Sequence, residues 1–217
     1  KGLVTCVIGK SGCGISVLLK HIIGLMNPDS GQVCVDGMPT NQMDKRQRHK
    51  FHRQISYMFQ DNALFDFLTV GENIALPLTE KRKMPMDQIR QRVKEKMQML
   101  EISNHENKYP AQLSGGIKKR VALARALITE PDAVLFDEPT SGLDPVRRNS
   151  VHAMISTYQK EFGFTAVIVS HGIPEIFTIS QRVAMLDQGK IIYFGTADGI
   201  SKTDNEIVKA FISGEEA

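Results

Sequence analysis

No apolar run in this 217-residue chain approaches the roughly 18–20 residues needed to cross a bilayer, and no signal-peptide pattern is visible. Cysteine is scarce: Cys6, Cys13 and Cys34 have no metal-ligand spacing, and an odd count fits a reducing compartment. Cys6 and Cys34 read as buried strand residues, and Cys13 as a small residue tolerated inside a glycine-rich turn. No internal repeat, low-complexity tract, long coiled coil or second tandem domain stands out. An excess of one charge is also missing, since 27 basic and 24 acidic residues leave a formal net charge of +3. That balance gives little support to a nucleic-acid partner, which needs a concentrated basic face, and none is expected. The basic runs Lys45-Arg46-Gln47-Arg48-His49-Lys50 and Lys81-Arg82-Lys83 read as solvated faces. Their sharper alternative is proximity to an anionic membrane surface, worth about 1 kcal/mol per charge. The length suffices for one domain with a full core and a subdomain. The start at Lys1, a few residues before the first motif, points to missing N-terminal sequence.

That first motif is what the chain does have. Val4-Thr5-Cys6-Val7-Ile8 is an apolar strand running into Gly9-Lys10-Ser11-Gly12-Cys13-Gly14-Ile15-Ser16, and Val17-Leu18-Leu19 carries a helix onward. Glycines at such a turn let backbone N–H groups fold inward around a triphosphate. The helix N-terminus adds partial positive charge, and the Ser16 hydroxyl occupies the position that ligates Mg²⁺. The pattern G-x-x-x-x-G-K-[ST] asks for lysine before that serine, and Ile15 stands there.

Further along, Val17, Leu18, His21, Ile22 and Leu25 recur at helical spacing, and Gly24 with Asn27-Pro28-Asp29-Ser30-Gly31 ends that helix. Residues 32–37 alternate like a half-exposed strand, and residues 54–60 read as another. Thr69-x-x-Glu72 has the form of a capping box. From Asp87, Ile89, Val93, Met97 and Leu100 share one helical face as core residues. Ser114-Gly115-Gly116 precedes a helix carrying Val121, Ala124 and Leu127. Ala133 to Phe136 reads as a buried strand ending in Asp137-Glu138, and Asp144-Pro145 as a strong helix start. Phe164 to Ser170 is the next buried strand, ending at His171. Arg182–Leu186 and Lys190–Phe194 suggest a hairpin, and Ile207, Val208 and Phe211 a last helix. Buried strands alternating with helices argue for a mainly parallel sheet with helices on both faces. The helix-rich stretch from about 65 to 112 looks like an insertion into it.

In open α/β sheets, ligands bind at the carboxyl edge of the strands. Asp137 there would hold Mg²⁺, directly or through water, and Glu138 would polarise an attacking water as general base. His171, ending its own buried strand, joins them as a site residue.

Together these residues resemble the nucleotide-binding domain of ABC transporters. Leu113-Ser114-Gly115-Gly116 is similar to the family's signature loop, and Gln60 to its Q-loop glutamine. Phe136-Asp137-Glu138-Pro139 is similar to the Walker B segment, Ser141-Gly142-Leu143-Asp144 to the D-loop, and His171 to the switch histidine. The resemblance implies an α/β P-loop NTPase fold: a RecA-like core at about 1–64 and 130–217, with an α-helical signature subdomain at about 65–129. It implies a homodimer enclosing two ATP molecules with Mg²⁺, each nucleotide between the loop Gly9 to Val17 of one copy and the signature helix of the other. Ser114, Gly115 and Gly116 would then contact the γ-phosphate across the interface. Gln60 would ligate Mg²⁺ and report to the membrane subunit, Asp144 would couple the two sites, and His171 would hold the γ-phosphate and the attacking water. The permease's coupling helix would dock around Leu64 to Leu78. Ser16 to Leu25, Ala63-Leu64-Phe65-Asp66 and Ile173-Pro174-Glu175-Ile176 further resemble the ATPases of Mla-type phospholipid transporters. That implies integral permease subunits, an MCE-type lipid-binding protein and a place on the cytoplasmic face of the bacterial inner membrane. Ile117, after the signature glycines, is similar to the lipid-transport branch.

Three departures qualify the match. Ile15 supplies neither the donor nor the charge of the loop lysine, whose contacts to phosphate are worth about 1.5–3 kcal/mol each. Losing such a contact in the transition state costs on the order of 10²–10³ in rate, so binding would survive weakened while turnover collapses. Lys10 offers itself as a substitute cation from the other arm of the loop. The given sequence starts after the position where the resemblance implies an aromatic residue that stacks on adenine, and Gly172 follows His171 where an acidic residue is common. Three readings stay open: an ATP-hydrolysing transporter subunit, a nucleotide-binding regulatory subunit without turnover, and a soluble ABC ATPase acting on ribosomes or DNA. Ile15 favours the second and Glu138 the first, while the mild charge disfavours the third.

Overall fold

In a computed structural model, which describes residues 1–80 and 84–214, six strands form one sheet in the order β4-β5-β6-β1-β7-β8. They are β1 (Val4–Gly9), β4 (Ile55–Met58), β5 (Ala133–Asp137), β6 (Thr165–Val169), β7 (Arg182–Asp187) and β8 (Lys190–Thr196). All neighbours are parallel except β7 and β8, which form the expected antiparallel hairpin. Its turn places both Gln188 (φ 45°) and Gly189 (φ 74°) in the left-handed region, the geometry that two-residue hairpin turns require.

Residue alternation explains why both faces of the sheet are covered. On β1, Cys6 and Ile8 point into one buried cluster and Val7 into another; Phe136 and Leu135 divide likewise on β5, and Met185 and Ala184 on β7. Helix α1 (Ile15–Ile22) supplies Ile15 and Leu19 to the smaller cluster. The larger one takes α3 (Val70–Thr79), α4 (Met86–Met99), α5 (Gly115–Leu127) and α6 (Pro145–Phe162). The predicted α4 face is buried as written: Ile89, Val93, Met97 and Leu100 are all at most 3% exposed. Burying one such side chain is worth about 1.5–3 kcal/mol.

Local signals set several helix starts. Thr69 and Glu72 form the expected reciprocal capping box before α3, and Asp144 accepts from the Arg147 N–H at 3.0 Å to start α6. Ser114 caps α5 through the Ile117 N–H. The basic run at 45–50 lies on α2 (Lys45–Gln54), where Lys45, Arg46, Arg48, His49 and Lys50 are all exposed, as a solvated face requires. The second run, Lys81 to Lys83, lies outside the described residues. Two short helices, α7 (Ala197–Ile200) and α8 (Glu206–Ser213), follow the hairpin.

Two expectations need correction. The strand expected over 32–37 reduces to β2 (Cys34–Val35), paired only with β3 (Met38–Pro39) in a separate ribbon. Cys34 is therefore exposed rather than buried, because two residues outside the main sheet have no second layer to pack against.

Candidate functional site

The loop, Asp137-Glu138 and His171 all sit where adjacent parallel strands end. β1, β5 and β6 run in the same direction with β6 between the other two, so their carboxyl ends form one edge. The loop's shape follows from glycine. Gly14 adopts φ 96°, a conformation that side chains resist, and a Cβ on Gly9 would lie 2.4 Å from the Leu186 carbonyl oxygen. Residues 10–17 of the loop line a cavity of about 250 Å³ together with Glu138, Val169 and His171. No side chain caps the start of α1, so its N-terminal dipole faces this cavity uncovered.

Five side chains pair up beside it. The Ser16 hydroxyl donates to Asp137 Oδ1 at 2.8 Å, and the Tyr57 hydroxyl donates to Asp137 Oδ2 at 2.6 Å. Burial and then the Asp137 carboxylate raise the Tyr57 phenol above its usual range, so it stays a donor throughout the physiological range. Glu138 Oε1 lies 3.2 Å from His171 Nε2. The Cys13 thiol is raised chiefly by burial, which fits a filler rather than a reactive thiolate. Hydroxyl and carboxylate oxygens converging at Ser16 and Asp137 are the hard donor set that suits Mg²⁺.

Ile15 borders the cavity, but its apolar side chain offers the phosphates nothing to bind. It is 5% exposed and packs with Val7, Leu19, Leu135 and Val169 between α1 and the sheet. Lys10 and Ser11 are exposed on the rim.

Other sequence-predicted residues lie apart. Gln60 is exposed and donates its amide to Ser141 Oγ at 3.1 Å, so the structure does not bring it to Ser16 and Asp137. Asp144 is occupied at the start of α6, where it also pairs with Arg147 Nε at 3.3 Å. Ser114, Gly115 and Gly116 line a different cavity of about 430 Å³, between α5 and α6. Tyr57 and Arg125 went unnoticed in the sequence: the Arg125 guanidinium donates at 2.7 Å to both the Asn62 and Ala63 carbonyls, pinning the segment after Gln60. Neither carries a local signal, because the partners are 80 and about 60 residues away.

Residues 1–141 match the family model described as ABC transporter. The chain belongs to the ABC transporter family. It is 39% identical over 216 residues to the methionine import ATP-binding protein MetN 1 of Pseudomonas syringae pv. syringae, covering 99% of this chain and 64% of that protein. It is 35% identical to the probable ribonucleotide transport ATP-binding protein mkl of Mycobacterium leprae, covering 98% of this chain and 61% of that protein. With the intermembrane phospholipid transport system ATP-binding protein MlaF of Escherichia coli it shares 33% identity, covering 99% of this chain and 80% of that one. The chain thus spans less than two thirds of the first two relatives. Among solved structures, cbiO1 from Clostridium perfringens, part of the cbiONQ transporter complex, matches with TM-score 0.85 and 31% identity over 97% of this chain and 83% of its own. The ATP-binding cassette MJ0796, a dimer in a post-hydrolysis state with ADP and Pi, matches with TM-score 0.77 and 34% identity, covering 90% and 86%. The fold is that of a P-loop NTPase, and by family the chain is an ABC-type ATPase domain.

Proposed function

We propose that this chain is the ATP-binding subunit of an ABC transporter and that Mg²⁺-ATP occupies the cavity at Gly9 to Val17. The observation that carries this is the pairing of Ser16 with Asp137 at 2.8 Å and of Glu138 with His171 at 3.2 Å around one phosphate-sized cavity. Backbone N–H groups of the loop and the α1 N-terminus hold the phosphates. Ser16 and Asp137 would hold Mg²⁺, which when bound offsets phosphate charge; Gln60 would join only after leaving Ser141. Glu138 accepts the proton of the attacking water, and His171 fixes the carboxylate that does so.

Two copies complete the arrangement, because Ser114, Gly115 and Gly116 line a separate cavity and reach a phosphate only on a partner's loop. Permease subunits at the cytoplasmic face of the inner membrane are the expected load, with cbiO1's place in a transporter complex as support. We assign phospholipid as the cargo and an MCE-type protein as a further partner, supported by the likeness to MlaF across 80% of that protein. The division into a core (about 1–64 and 130–217) and a helical subdomain (about 65–129), which pushes on the permease, belongs to the same proposal.

With Ile15 buried, the site lacks the ammonium that stabilises the transferring phosphoryl group, so binding outlasts turnover. This same burial favours a second reading, a regulatory subunit that closes on ATP without hydrolysing it.

Titration with a fluorescent ATP analogue tests the site: Mg²⁺-dependent binding weakened by Ser16→Ala supports it, and Mg²⁺-independent or absent binding overturns it. Deleting the coding gene tests the cargo. Phospholipid gained in the outer leaflet of the outer membrane is expected, whereas an unchanged leaflet with lost methionine or ribonucleotide uptake would contradict it.

A further inference from the structure

We propose that Lys119 is a positioning residue that clamps the turn carrying Glu138 to the helix carrying the Ser114-Gly115-Gly116 loop. Lys119 lies on α5, is 6% exposed, and donates through Nζ to the carbonyl oxygen of buried Pro139, the residue after Glu138. Two features make that contact consequential. Glu138 itself sits at φ 46°, a left-handed conformation that a non-glycine residue keeps only when its surroundings hold it. The turn's backbone supplies part of the hold: the Glu138 N–H donates to Val169 O, and the Ser141 N–H donates to Glu138 O, both at 3.1 Å. Between these anchors the Pro139 carbonyl is fixed by Lys119, 20 residues earlier on the helix that precedes β5.

A lysine is an expensive choice for a 6%-exposed position, since burial disfavours its charge. That burial lowers its pKa, with Asp61 opposing the shift. A methionine would fill the same space without that cost, so packing alone gives no reason for the ammonium. What the ammonium adds is a charge-assisted hydrogen bond to a carbonyl. Lys119 also borders the cavity of Ser114, Gly115 and Gly116, so one side chain touches both functional regions of the chain. The proposal rests on the site reading above for its consequence, since a loosened turn matters most if Glu138 is the base. The clamp itself is independent of nucleotide.

Amide hydrogen exchange of the full chain without nucleotide tests it, comparing Lys119→Met, Lys119→Arg and the parent. A charge-assisted bond predicts exchange at Glu138 and Ser141 at least about 10-fold faster in Lys119→Met. Strand β5 before the turn should be unchanged, and Lys119→Arg should restore much of the protection. In an Ile15→Lys background, Lys119→Met should lower kcat about 10-fold with little change in KM, again rescued by arginine. Unchanged exchange at 138–141 in a folded Lys119→Met chain overturns the clamp, as does a loss of protection spread evenly over β5 and α5. If Lys119→Met fails to fold, Lys119→Leu, which likewise carries no donor, gives the same comparison. Loss of ATP binding in the parent would sink the site reading while leaving the exchange result to decide the clamp.

Discussion

Ile15→Lys should make the nucleotide-free protein weaker and the nucleotide-bound protein relatively stronger. Ile15 is 5% exposed and buried against Val7, Leu19, Leu135 and Val169, so replacing it removes about 1.5–3 kcal/mol of apolar burial. The lysine stem recovers part of that by lying along the same surface while its ammonium reaches the cavity, leaving a net loss of about 1–2 kcal/mol. For a domain of this size about 1 kcal/mol corresponds to 2–4 °C, so Tm should fall by about 2–8 °C. With Mg²⁺-ATP the sign reverses: each new charge-assisted contact to phosphate is worth about 1.5–3 kcal/mol, and tighter binding raises stability through mass action. Thermal melts of both proteins in a Glu138→Gln background, with and without saturating Mg²⁺-ATP, read this directly. Crossing curves are expected. An Ile15→Lys protein that melts at the parent's temperature without nucleotide would refute the claim that Ile15 belongs to the core.

Arg125→Ala should cost about 2–4 kcal/mol, because two guanidinium hydrogen bonds at 2.7 Å vanish and the Asn62 and Ala63 residues they hold are both at positive φ; urea denaturation with an unchanged m-value checks it. His152 is 2% exposed, and burial, with Arg148 adding to it, lowers its pKa below the ordinary 6.5. The unfolded chain therefore takes up a proton that the folded chain resists, so stability falls as pH drops through 6.5 toward the lower folded value. In His152→Gln that part of the slope should disappear, and an identical pH dependence in both proteins would contradict it.

Legibility followed sequence distance. The loop, both strand-end acids, the Thr69–Glu72 box and the Asp144-Pro145 start were readable because each signal is complete within a few residues. Strand type was readable too, since alternation on β1, β5 and β7 divides cleanly between two clusters. Cys34 failed for lack of a tertiary partner: a short apolar alternation looks the same whether or not a layer covers it. Tyr57 on Asp137, Arg125 on Asn62 and Lys119 on Pro139 were illegible for the converse reason, as each bond exists only once α5, β4 and β5 have packed. The loop showed that Ile15 displaces a lysine, but only the packing shows that its side chain belongs to the hydrophobic layer beneath α1.

Mg²⁺-ATPase turnover of the chain beside Ile15→Lys and Ile15→Lys/Glu138→Gln, each with and without the proposed permease, decides whether Ile15 is what holds turnover down. Restoring the lysine should raise turnover on the order of 10²–10³-fold, and Glu138→Gln should abolish the gain. Equal turnover by the parent and Ile15→Lys proteins would contradict this, because another cation would then be supplying what Ile15 cannot.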